Sequence, residues 1–339
     1  MQFRTLFFTT AFCAFTLVQA EARTLYVNAN RPNNKGNGLK LATAKKTIQA
    51  AINIAKSGDT IIVYPGIYAP IKTKNKKITI KSKSGCLQTV IQGTNVKTFV
   101  DMGSGNATKL NGFWVMTTFY EGGDYVYMWG ATACKGGTVQ NSVFFYCGGG
   151  GTATFVKTKL TACVLEACFA DTTGKAFAKG VTFNRCSIKQ DGEKDKVGAL
   201  SSCSLYNTLI ADCTSPSLSS CTLMNCTLAE NSGLALSKSK AYNTIFYKVA
   251  ASQFKSGRKN KLYNCYKGAS PKFKSLKKTA LDEDGEEDVI PGDYTLMAGS
   301  PCINKGKLTQ AQKKLVGSKD LSGNKRIKGK AIDIGCYER

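Results

Sequence analysis

Three segments, ALSSCSLYNTLIADC (199–213), SLSSCTLMNCTLAEN (217–231) and ALSKSKAYNTIFYKV (235–249), align without a gap at a period of 18 residues. Self-similarity at a fixed short period restricts a chain to repeat architectures in which each unit buries its apolar face only against its neighbours. The asparagine column of the repeat, Asn207, Asn225 and Asn243, continues downstream to Asn264. Upstream it continues at looser spacing to Arg185, Ala162 and Asn141, and the intervals from 141 onward are 21, 23, 22, 18, 18 and 21 residues. One position later stands a column of small residues, Ser142, Cys163, Cys186, Thr208, Cys226, Thr244 and Cys265. Three positions after the column come Phe144, Leu165, Ile188, Ile210, Leu228 and Phe246.

A period near 20 with short alternating runs and a recurring Asn predicts an all-β parallel solenoid; its right-handed coil is implied by the resemblance described below. One residue per coil must turn the chain in the left-handed region, where Asn is tolerated better than most side chains. The small column then packs inward, where like residues meet at a strand spacing of ~4.8 Å. Helical repeats are disfavoured, because nothing from 141 to 268 recurs at 3.6 residues and Thr, Ser, Cys and β-branched residues prevail. In TIQAAINIAKSGD (47–59), Ile48, Ala51, Ile52 and Ala55 share one helical face, which predicts an amphipathic helix capping the open end of the stack. Strand-like runs follow at 60–63, 76–82, 89–93 and 97–100. Residues 59–268 leave room for roughly ten coils.

Residues 1–20, with one charge (Arg4), a short apolar run and Ala20 at the cut, read as a signal peptide. The expected product is secreted, or else periplasmic or held at the outer cell surface. No later run is long and apolar enough to span a bilayer, and a monomer is expected. The whole chain carries a formal charge of +25 and no histidine. The charge favours polyanions, either acidic polysaccharide or an anionic cell-surface glycan; scattered solvated lysines are the plain alternative. Six lysines lie between Lys72 and Lys83, and nine basic residues with no acid between Lys255 and Lys278. Nucleic acid is disfavoured by export and by the lack of a recognisable nucleic-acid fold or Arg patch. Without histidine, Ser-His-Asp and Cys-His chemistry and His-ligated zinc are excluded. Of 14 cysteines, Cys13 lies in the leader, which leaves an odd number in the mature chain.

TLYVNAN and KKTIQAAINIAKSGDTIIVYPGIY, within 24–68, resemble the opening of bacterial right-handed parallel β-helix proteins of the pectate-lyase-like superfamily. YTLMAGSPCINKG, followed by DLSGNKRIKGKAIDIGCYE, resembles the C-terminal module called choice-of-anchor Q, which closes such helices before an optional surface anchor. The organisation implied is a signal peptide at 1–20, a strand and capping helix at 21–58, the β-helix at 59–268 and the closing module at 269–339. Nothing follows Arg339, so release rather than display is expected. The family usually has Ala where this chain has Cys302 and Cys336, and Asp where it has Asn304. The paired departure implies a Cys302–Cys336 disulfide stapling the module, against two small buried residues. The stacked pairs Cys203/Cys221, Cys163/Cys186 and Cys147/Cys168 are read as core packing.

The superfamily's enzymes work along one parallel sheet with a Lys or Arg base and usually calcium held by carboxylates. Here the corresponding strands, 153–157, 176–180, 198–202, 216–220 and 234–238, contain no Asp or Glu. A cation-independent lyase would need Lys179 as base, flanked by Lys175 and one coil from Lys157; a solvated lysine is the plainer reading. Arg185 joins these candidates, because a residue other than Asn or Gly in the left-handed region would be strained; a one-residue shift placing Asn184 there would remove the anomaly. In EGGDYVYMWG (121–130), Tyr125, Tyr127 and Trp129 share one strand face, ready to stack on sugar rings or else to fill the interior. No cofactor is required. Calcium would be held, if anywhere, by Asp282, Asp284 and Asp288 of DEDGEED (282–288), which lacks a full calcium-loop pattern and otherwise reads as a solvated acidic loop. The reading is a secreted binder of acidic polysaccharide or an anionic cell surface without strong catalysis. The alternatives are a uronate-specific polysaccharide lyase with a Lys base (pectate, alginate or glycosaminoglycan) and a structural or adhesive envelope protein.

Overall fold

The computed structural model describes residues 21–93, 96–105, 107–116, 118–121, 124–127, 131–149, 153–170, 176–189, 199–214, 216–254, 259–281, 287–290 and 292–339. Among these residues three long parallel sheets extend between Thr24 and Tyr263. Sheet A begins with Thr24–Val27 and ends with Lys261–Tyr263 in eleven strands; sheet B has nine, from Gly66–Tyr68 to Ile245–Tyr247; sheet C has eight, from Ile71–Lys72 to Ala235–Ser237. The chain visits A, B and C in turn and then returns to A one strand further on. This is an all-β parallel solenoid, consistent with a right-handed coil. Because sheet C has eight strands among the described residues, at most eight turns are complete, fewer than the roughly ten expected. The difference is chain spent at one corner: the links from sheet B to sheet C are drawn out at 117–131, 146–154, 167–175 and 190–198.

The regular coils show why this sequence folds so. Each strand is three residues with its middle side chain inward: Leu205 and Leu223 in sheet A, Ile210 and Leu228 in B, Leu200 and Leu218 in C, all fully buried. Burying one such leucine stabilises the fold by about 1.5–3 kcal/mol. At the end of each strand one residue takes positive φ and bends the chain by a corner. From sheet A to B that residue is the sequence column itself, with φ of 48° at Asn141, 53° at Ala162, 54° at Arg185, 46° at Asn207, 52° at Asn225, 46° at Asn243 and 51° at Asn264. Two further columns turn the other corners, Tyr146, Ala167, Asp212, Glu230 and Lys248 after sheet B, and Lys157, Ser202, Ser220 and Lys238 after sheet C.

The small residue after each bend tucks inward and returns a hydrogen bond to the carbonyl two residues earlier. Cys226 Sγ lies 3.5 Å from Met224 O and 3.3 Å from Leu205 O of the preceding coil; Cys221 does the same with Ser219 and Leu200. Thr208, Thr244 and Ser239 fill the same place with hydroxyls. Thiol and hydroxyl are therefore interchangeable fillers, each adding a second hydrogen bond to a carbonyl that already accepts a backbone amide of the preceding coil, as Met224 O does from Asn207 N. The thirteen cysteines from Cys86 onward are all free, and burial pushes the Cys134 and Cys226 thiols up to about 12, which leaves them unreactive.

Helix α1 (Ile48–Ile54) buries Ile48, Ala51 and Ile52 against the first strands; Thr47 caps its start and Lys76 Nζ caps its end, on the carbonyls of Ile52, Asn53 and Ala55. Both ends of sheet C are closed by carboxamides. Gln49 of α1 accepts from Lys72 N at 2.9 Å and donates to Lys72 O at 3.2 Å, while Gln253 and Asn260 pair with Leu236 N and O at the far end. Edges that would otherwise template another strand are thus occupied.

Residues 271–277 and 292–339 lie along the flank of the last coils. Phe273, Tyr294, Leu296, Cys302, Ile334 and Cys336 bury the outer face of sheet B, covering Leu209, Ala211, Ala229, Ile245 and Tyr247. The asparagine column is their docking rail. Asn207 Nδ2 donates to Val316 O at 2.7 Å, just after helix α2 (Gln310–Val316) has closed its last turn; Asn225 Nδ2 donates to Asp333 O at 2.9 Å; Asn264 Nδ2 donates to Lys305 O at 2.7 Å. Asn243 both donates to Lys307 O and accepts from Lys307 N. At the next corner Tyr294 Oη donates to Asp212 at 2.6 Å and lies 3.2 Å from Glu230, which also holds Lys248 and the Lys277 amide. Burial raises the Asp212 pKa. Burial acts the same way on Glu230, but its hydrogen bonds from Lys248, Lys277 and Tyr294 prevail and the net shift is downward.

The tail itself is a knot of side chain to backbone bonds. Asp320 accepts from Asn324 N and Glu338 N, Asp333 from Asn304 N and Arg339 N, and Glu338 from Asp333 N. Arg326, 2% exposed, donates to the Gly335 carbonyl. The expected Cys302–Cys336 bond is absent: each is a separate thiol, pushed up to about 12 by burial. The two face different neighbours, Cys302 the Ser300 hydroxyl and Cys336 that of Thr227.

Candidate functional site

Sheet C carries the charge pattern. One register position runs outward along it through Lys72, Asp101, Lys135, Val156, Lys179, Ser201, Ser219 and Ser237. None is buried, and Lys72, Lys135 and Lys179 are exposed. At ~4.8 Å per strand, the four steps from Lys72 to Lys179 span about 19 Å. Lys157, at the bend beside Val156 with φ 49°, adds a fourth exposed ammonium and gives its amide to Lys179 O. At that edge the coils approach so closely that a Cβ on Gly136 (φ 70°) would meet the Gly103 carbonyl. Asp101 is the only carboxylate of the row, held by the Gly103 amide at 2.9 Å and set between two lysines. Towards the C-terminal end the same face is lined by Ser and Ala: Ala199, Ser217 and Ala235 flank the serine row.

Three of the drawn-out links from B to C, 117–131, 146–154 and 167–175, are followed directly in the chain by the strands Thr132–Lys135, Phe155–Val156 and Ala176–Lys179 of this sheet. The first carries the antiparallel hairpin Thr118–Glu121 with Asp124–Tyr127. Tyr125 and Tyr127 thus sit on a hairpin outside the three long sheets rather than on a coil strand; Trp129 lies outside the described residues. So do Lys175, Asp282 and Asp284, while Asp288 falls in the outer hairpin Lys278–Leu281 with Glu287–Ile290. Arg185 is not part of this face. It occupies the corner between A and B, in the left-handed region as the column implies, so Asn184 does not take its place; its guanidinium reaches towards Gly323 of the C-terminal segment. Of the four basic candidates, sheet C brings together Lys157 and Lys179. The repeat left Lys72, Asp101 and Lys135 unplaced, because long links upstream of Asn141 break the period; the run KTFV (97–100) was the available signal.

Among the described residues no three His, Cys, Asp or Glu side chains converge to hold a metal, and no helix is long and apolar enough to cross a membrane.

No protein-family model matches the chain, and no curated protein sequence matches it. Among solved structures it is similar to the crystal structure of pectate lyase Pel9A, at 15% identity over 94% of this chain and 97% of that one, with a TM-score of 0.52. A rhamnogalacturonan lyase follows at 11% identity, 86% of each chain and TM-score 0.38. Pectin methylesterase PemA from Erwinia chrysanthemi gives 13%, 88% and 98%, and 0.36. The first likeness shows a shared fold, a pectate-lyase-like parallel β-helix; the other two are too distant to carry an argument.

Proposed function

We propose that this protein binds acidic polysaccharide, outside the cytoplasmic membrane, along the lysine row of sheet C. The observation that carries the reading is the row itself: exposed ammonium groups in one straight register over about 19 Å. A linear polyanion lying along the solenoid axis would meet these charges in sequence, and the serines and alanines beyond would leave it room. The fold shared with a pectate lyase is consistent with a polysaccharide ligand.

A lyase is the second reading, favoured by one observation, the exposed Lys179 with Lys157 beside it. It would take the proton next to a uronate carboxylate, with calcium as an optional supplement from solution. The bland Ser/Ala stretch of sheet C favours binding or an adhesive role over that chemistry. The test is retention on immobilised polygalacturonate, alginate and heparin as salt is raised, with ultraviolet absorbance followed in solution with and without calcium. The binding reading expects salt-sensitive retention and a flat absorbance trace. Retention indifferent to salt would overturn it, and an absorbance rise lost in Lys179→Ala would make the protein a lyase.

A further inference from the structure

The lysine row has a closed end. Among the described residues no strand follows Lys72 in sheet C, because the Gln49 carboxamide of α1 makes the two hydrogen bonds that another strand would make. At this junction lies an open pocket of about 280 Å³, lined by Gln49, Pro70, Ile71, Lys72, Val96, Lys97, Thr98 and Asp101. Ligand pockets for drug-sized molecules run to roughly 300–1,000 Å³, so this one suits a single sugar ring. Its chemistry fits a uronate. Lys72 and Lys97, both exposed, stand at the rim to meet a carboxylate. Half-buried Asp101 and Thr98 offer acceptors and a donor for ring hydroxyls, and Pro70 and Val96 offer apolar surface to the ring. Asp101 would repel a uronate carboxylate directly. Its place between Lys72 and Lys135 in register instead makes it an acceptor for hydroxyl groups, with the carboxylate turned to the lysines.

We propose that this pocket receives the terminal uronate of the polysaccharide whose body lies along the row, so that the protein reads a chain end rather than a chain interior. The inference rests on the proposed polyanion binding by sheet C and adds polarity to it: the ligand enters from the serine-lined strands and stops at α1.

Calorimetric titration of the whole protein with mono-, di- and tetragalacturonate and with long polygalacturonate tests this. End recognition expects measurable di- and tetragalacturonate binding that falls at least tenfold in Lys97→Glu, with long-polymer binding falling no more than about threefold. Lys179→Glu should show the reverse ranking, and the wild type should bind at a stoichiometry that counts chains rather than chain length. Lys97 is exposed, so the folded state should tolerate its reversal; an Asp101→Asn variant, which keeps the shape, should weaken digalacturonate binding as well. Polymer binding in the wild type with no response of short chains to Lys97→Glu would overturn the end-stop while leaving the row standing. Stoichiometry that rises in proportion to chain length would do the same. No binding of any polymer would remove both.

Discussion

The solenoid has two unlike halves. In the coils from Ala199 to Tyr247 the period is 18 residues, the links are short, sheet C shows only serine and alanine, and the flank is buried under the C-terminal segment. In the coils from Lys109 to Lys189 the links from B to C are long, sheet C carries lysine, and the Asn column lapses into Ala162 and Arg185. The difference teaches what the asparagines are for. Positive φ alone does not demand Asn, since alanine, lysine, serine and arginine all occupy such bends here. Asn is uninterrupted where its amide must reach a carbonyl of the docking segment, at Asn207, Asn225, Asn243 and Asn264. The regular half is shaped by a partner within the chain, and the irregular half is the one to which the proposed function assigns the ligand.

The largest effect should come from the column. Asn225→Ala removes a fully buried amide bonded to Asp333 O and puts a less tolerant residue at φ 52°. It should cost about 2–4 kcal/mol in urea unfolding. Asn141→Ala, at an exposed bend where the side chain bonds only Asn111 among the described residues, should cost about 1 kcal/mol. Equal costs would break the distinction between docking and bending.

Next is the tail. Burial, opposed by Asp333 N and the Arg326 charge, raises the Glu338 carboxyl to about 7. A folded-state value above the unfolded one means the protonated form is favoured by folding, so this contribution is complete below about 4.5 and is lost as pH rises towards 7. Stability should therefore fall across that window, by at most about 3 kcal/mol, and Glu338→Gln should flatten the profile. A wild-type profile that instead rises through the window would show the Arg326–Glu338 pair to be net favourable when ionised.

How much of this was legible beforehand follows from where period and chemistry coincide. The inward columns at Phe144, Leu165, Ile188, Ile210, Leu228 and Phe246 could be read directly, because one buried residue per strand repeats with the coil. The flank under the C-terminal segment left a signal that went unread: in LIA, TLA and IFY the two outer positions are Leu, Ala, Thr, Ile or Tyr, and they are buried along with the middle one. Alternation fails in a strand covered on both faces. The lysine row was only half legible, since Lys157 and Lys179 fall in periodic coils whereas Lys72, Asp101 and Lys135 depend on links whose lengths obey no repeat. The disulfide inference failed for a different reason. Adjacent small positions share a core, but their side chains point to different neighbours, which sequence spacing cannot resolve.

A smaller effect is expected from single charges on sheet C. Lys135→Glu should weaken polygalacturonate binding about three- to fivefold at low salt, whereas Ser219→Ala in the regular half should leave it unchanged. The smallest effect is expected from reductant. With all thirteen thiols free, dithiothreitol should not move Tm, and only half-buried Cys86 and Cys265 should react with a thiol reagent in the native state. A fall in Tm would restore a disulfide.

The most direct test of the central claim compares two faces of one solenoid. Lys135→Glu with Lys179→Glu reverses charge on sheet C, and Lys109→Glu with Lys159→Glu reverses the same charge on exposed strands of sheet A. Binding of both variants to polygalacturonate, measured at one ionic strength, should fall at least about tenfold for the sheet C pair and about twofold for the sheet A pair. Equal losses would mean that net charge alone attracts the polymer and that the lysine row is not its site.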